Sequence, residues 1–69
     1  MLNDIQIIGK ITLKELRRIA GLSQKEMADR VGIPLTTYRR CESDMSKMEV
    51  GKLFHICDVF EFPVNQIKL

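Results

Sequence analysis

Two short stretches, "ITLKEL" at residues 11–16 and "LSQKEM" at residues 22–27, repeat one pattern that leaves the chain little freedom. In the first, Thr12 can cap a helix start, Glu15 can reach back to it, and Ile11 and Leu16 can close an apolar staple across it. In the second, Ser23 and Glu26 repeat the box, and Leu22 and Met27 repeat the staple. Gly21 and Gly32 stand where helices begun in this way would end, each able to supply the left-handed residue that closes a helix. The pattern predicts helices over residues 13–20 and 24–31. Gly32-Ile33-Pro34 then forces a turn and a restart, because proline cannot lie inside a helix.

A third helix is expected over residues 35–43. A fourth is expected over residues 48–60, where Val50, Leu53, Phe54, Cys57 and Phe60 recur at spacings of three and four. Ser46 and Glu49 are its candidate caps, with a start nearer Glu49 also open, and Pro63 can open a last short turn carrying Val64 and Ile67. Residues 1–9, which include Leu2, Ile5, Ile7 and Ile8, stay open between an extended arm, a short strand and a lid on the core. The expected fold class is all-α, a compact bundle of about five short helices forming a single domain over residues 1–69. That length is near the lower limit at which one hydrophobic core folds unaided.

The hydrophobic share of 45% and charged share of 29% are ordinary for a soluble globular chain and argue against disorder. No apolar run approaches the roughly 18 residues of a membrane span. The start, MLNDIQIIGK, has neither the basic end nor the long apolar stretch of a secretory signal, so a cytoplasmic protein is expected. Cys41 and Cys57 are then read as reduced thiols. His55 and Cys57 sit two apart on a helix, where side chains do not converge, so no metal site is expected. One histidine and no glycine-rich phosphate loop leave little from which to assemble a catalytic site, and neither enzyme activity nor a cofactor is expected.

The net charge of +2 is modest, but its distribution is not uniform. Residues 10–47 hold nine Lys/Arg against five acids, whereas residues 48–69 hold two against three. The excess is a weak pointer to a polyanionic partner. It sharpens on the third helix. Advancing about 100° per residue from Tyr38 puts Cys41 beside it on the inward side. Thr36, Arg39, Arg40 and Ser43 then fall within one outward arc about 100° wide, two of the four being permanently charged. Two helices joined by a glycine-containing turn, the second short and arginine-bearing, is the arrangement that presents a helix to the DNA major groove.

The stretch "GLSQKEMADRVGIPLTTYRRCE" resembles the helix-turn-helix of the lambda repressor/Cro (XRE) family, whose pattern runs roughly L-S-Q-x-x-L-A-x-x-x-G-(V/I)-S-x-x-T-(I)-x-x-x-E. The matching residues are Leu22, Ser23, Gln24, Met27 in place of Leu, Ala28, Gly32, Ile33, Thr37 and Glu42. The similarity extends over residues 12 to about 67, since "LFHICDVFEFPVNQI" looks like the family's fourth and fifth helices. It implies a helix-turn-helix over residues 24–43 and a small transcriptional regulator, a repressor, binding a palindromic double-stranded operator as a homodimer. An antitoxin, a restriction-modification controller or a helix-turn-helix serving protein contact would use the same module.

Carried over residue by residue, the resemblance gives Gln24 a phosphate or base edge and turns Thr36, Arg39 and Arg40 toward the groove. Leu35 would touch a thymine methyl, Thr37 and Ser43 would bond phosphates, and Lys47 would add a phosphate contact from the following loop. Ala28 is packing alone. Glu42 lies beside the inward face rather than on the groove arc, and the family pairs this acid with a basic residue of the first helix, here Arg17. Four positions depart from the pattern. Pro34 replaces the Ser/Thr cap of the third helix, and Tyr38 replaces a branched aliphatic, so that its hydroxyl needs a partner. Asp44 and Glu61 stand where helix-ending glycines are common.

Overall fold

The computed structural model describes residues 9–69, so the arm, strand or lid expected of residues 1–9 falls outside it except for Gly9. Four α-helices follow one another: α1 over Leu13–Ile19, α2 over Gln24–Val31, α3 over Leu35–Ser43 and α4 over Val50–Phe60. Two 3-10 turns, Met45–Lys47 and Val64–Gln66, complete the order, the second taking the place of a fifth helix. Among the described residues none of the helices is long and apolar enough to cross a membrane.

Both capping boxes form. Thr12 accepts from the Glu15 amide at 3.1 Å while the Glu15 carboxylate accepts from the Thr12 amide at 2.9 Å. Ser23 and Glu26 repeat this with the same two distances. Each glutamate lies below its ordinary pKa, chiefly because the capped backbone amide hydrogen-bonds its charged form. The far ends close as the glycines require. Gly32 takes φ 79°, and both its amide and that of Ile33 return to the Ala28 carbonyl. A left-handed residue at this point lets the chain turn out of α2 before α3 begins.

The two missing glycines are replaced in different ways. Glu61 adopts the left-handed conformation itself (φ 54°), and Phe62 donates back to the Cys57 carbonyl at 2.9 Å. Asp44 instead stays extended, and its carboxylate accepts from the Ser46 amide (3.0 Å) and hydroxyl (2.7 Å), so it caps the first 3-10 turn. Pro34 precedes α3 with no side-chain cap, as its chemistry demands.

The core joins Leu13 and Leu16 of α1 to Met27, Ala28 and Val31 of α2, Tyr38 and Cys41 of α3, and Leu53, Ile56, Cys57 and Phe60 of α4. Phe62, Ile67 and Ile11 close it. Two expectations for the last helix need correction. Of the two starts left open the later one is taken, with Glu49 preceding the first helical residue Val50, but neither Ser46 nor Glu49 caps the helix with a side chain. Val50 and Phe54 are 67% and 55% exposed, while Ile56 is buried in their place. The helix carries apolar residues on more than one face, and α2 and the chain after α4 cover only the face centred on Leu53, Ile56 and Phe60. Ile11 and Ile67 form a parallel bridge, with Ile11 donating to the Gln66 carbonyl (2.9 Å) and Lys68 donating to the Ile11 carbonyl (2.7 Å).

Candidate nucleic-acid interface

The short turn at Gly32 sets α3 against α2, and the burial of Tyr38 and Cys41 fixes which side of α3 faces inward. Thr36, Thr37, Arg39, Arg40 and Ser43 are consequently exposed, as is Lys47 in the turn beyond. Arg39, Arg40, Ser43, Asp44 and Lys47 line one open depression. Three cations thus share a surface with one acid, and that acid is turned onto Ser46. Thr37 lies on the other flank, in a recess with Ile33, Cys41 and Lys47. Leu35 is half-buried and packs against the core, leaving only part of its side chain to any ligand. The Ser43 hydroxyl already donates to the Arg39 carbonyl at 3.1 Å, so a phosphate would have to compete for that proton.

Glu42 is the junction beneath this surface. Its carboxylate accepts from Arg17 Nε at 2.6 Å and Nη2 at 3.5 Å, from the Tyr38 hydroxyl, and from Gln24 Nε2 at 3.1 Å. The Arg17 and Glu42 side chains are only 12% and 5% exposed, so the pair expected between α1 and α3 forms in a largely dry setting. Arg17 also donates from Nη1 to the Leu22 carbonyl at 2.8 Å, tying the α1–α2 turn to the same point. Burial alone would push the Glu42 carboxyl up; hydrogen bonds from Arg17, Tyr38 and Gln24 outweigh it and hold the group below its ordinary value. The Tyr38 phenol is pushed up, first by burial and then by its bond to Glu42. Arg17 is raised by the hydrogen bond to Glu42.

Beyond the expected Arg17–Glu42 pair, the junction carries further side-chain links. Tyr38 and Glu42 are four apart, a spacing that places them one above the other on a helix, so that link was available from the numbers alone. The bonds from Gln24 to Glu42 and from Arg39 Nε to Gln24 Oε1 (3.3 Å) depend on how α2 crosses α3. Cys41 and Cys57 are buried free thiols, both pushed up mainly by burial, which keeps them protonated and inert.

Residues 13–67 match the helix-turn-helix family of lambda repressor-like proteins. The chain belongs to that family. No curated protein and no solved structure gives a match. The helix-turn-helix family is a DNA-binding regulatory one rather than an enzyme family.

Proposed function

We propose that the chain is a small cytoplasmic transcriptional repressor that binds a palindromic operator as a homodimer, with α3 in the major groove. The observation that carries this reading is the exposed face of α3, where Arg39 and Arg40 stand with Lys47 and none of the three makes a salt bridge among the described residues. Phosphate contacts from Lys47, Thr37 and Ser43 would supply much of the affinity, and Thr36, Arg39 and Arg40 the base preference. Leu35 offers its exposed part to a thymine methyl. Repression needs only that the occupied groove be closed to other proteins.

The size of the fold supports the dimer reading. The described residues extend 30 × 21 × 18 Å and hold one reading helix, whereas half-sites on one face of DNA lie about 34 Å apart. The exposed apolar residues Val50 and Phe54 on α4 support a second copy as the partner that covers them.

Selection of bound sequences from random duplex DNA tests the reading. A palindromic consensus is expected, with log affinity falling linearly and steeply against log salt. No enriched sequence together with a flat salt response would overturn it in favour of protein contact.

A further inference from the structure

Gln24 occupies the first position of α2, where it faces both Glu42 and Arg39. Which way its amide points is settled by chemistry. An ionised carboxylate only accepts, so the end of the amide that meets Glu42 must be the NH2 group. A guanidinium only donates, so the end that meets Arg39 must be the carbonyl oxygen. The reverse orientation would oppose oxygen to oxygen at Glu42 and donor to donor at Arg39. Glu42 is itself fixed by Arg17 from α1 and Tyr38 from α3. A continuous chain of hydrogen bonds therefore runs from α1 through Glu42 and Gln24 to Arg39 on the exposed arc.

Arg39 uses Nε in this chain, and its two Nη groups carry no partner among the described residues. A guanidinium can meet a two-acceptor base edge side-on, through Nε and one Nη, or end-on, through both Nη groups. With Nε held by Gln24 only the end-on approach is left, which suits the paired acceptors O6 and N7 of guanine. The side chain is also held before the ligand arrives, so less freedom is lost on binding.

We propose that Gln24 is a positioning residue for Arg39 that reads no base itself, and that it commits Arg39 to end-on recognition of a guanine. This rests on the reading that α3 enters the major groove.

The experiment compares base preference at every operator position for the wild-type protein and for Gln24→Met, Gln24→Glu, Arg39→Ala and the Gln24→Met/Arg39→Ala double variant. Arg39→Ala and Gln24→Met are each expected to flatten preference at the same G·C pair by about tenfold, and the double variant to be no flatter than Arg39→Ala alone. Gln24→Glu keeps an acceptor for Arg39, so it should retain most of that preference while its charge, facing Glu42, lowers Tm. Loss at a different base pair in Gln24→Met overturns the proposal, as does a double variant that loses the product of the two effects. So does a Gln24→Glu variant as flat as Gln24→Met. An operator on which the wild type shows no Arg39-dependent pair overturns it too, whereas no operator at all fails the DNA reading beneath it. In the free protein, the Arg39 Nε–H proton should exchange with solvent more slowly than that of Arg40. Equal rates count against the proposal even if Gln24→Met does not fold.

Discussion

Glu42 accepts from three side chains that belong to three different helices: Arg17 of α1, Gln24 of α2 and Tyr38 of α3. Removing Arg17 alone leaves a nearly buried carboxylate short of its cation, so Arg17→Met is expected to cost about 2–4 kcal/mol. The Arg17→Met/Glu42→Leu double variant should cost less than the sum of the single changes by more than about 1 kcal/mol in a denaturant-melt cycle. The same junction shapes acid stability. The folded-state pKa of Glu42 lies below its ordinary value, so as pH falls the unfolded chain takes up the proton first. Its contribution is complete above the usual glutamate range near ~4.3 and is lost as pH drops through the lower folded value. Glu42→Gln should remove that part of the acid limb and leave the parts due to the capping Glu15 and Glu26, which have the same sign. Arg40, by contrast, is exposed and holds nothing together. Arg40→Ala is expected to leave Tm unchanged, weaken operator binding by about 1–3 kcal/mol and relax preference at one base pair. The Arg17–Glu42 pair was legible because the family resemblance pairs these two positions and Glu42 lies beside the inward face of its helix. The Gln24–Arg39 link was not, because no single helix contains it.

At the scale of elements, the helix starts and stops were the most legible features, since a capping box or a closing glycine is complete within six residues. Gly32 and Gly51 show how the same substitution reverses sign with backbone conformation. A Cβ at either would meet no atom within 4 Å, so sterics with neighbours decide nothing. Gly32 is left-handed at the end of α2, and Gly32→Ala is expected to cost about 1–2 kcal/mol. Gly51 lies in the first turn of α4 with ordinary helical backbone, and Gly51→Ala should stabilise by roughly 0.5–1 kcal/mol. Thermal melts of the two variants read both. The inward face of α4 was only half legible. Spacings of three and four fit Val50 and Phe54 as well as Leu53, Ile56 and Phe60, and the choice is made by the packing of α2 and the tail, which no local pattern encodes. Asp44 was illegible for a different reason: its carboxylate ends α3 by starting the next turn, without the left-handed residue that the family pattern suggests.

For the molecule as a whole, the exposed Val50 and Phe54 make a prediction about assembly. Phe54→Lys removes no core contact, so Tm should hardly change. Sedimentation should instead show a shift toward monomer, with operator affinity falling as paired half-sites are lost. A variant still dimeric at the same concentration would place the second copy elsewhere. The bridge between Ile11 and Ile67 carries a consequence of another kind, in the order of events along the folding path. Almost the whole described chain lies between those two residues, so closing this seam costs more loop entropy than any contact inside the α2–α3 unit. It should form late and open first. Amide exchange at Ile11 and Lys68 would then proceed by a local opening well below the global unfolding free energy, while α2 and α3 stay closed. The helices that would meet DNA would outlast the seam that joins the two ends of the fold.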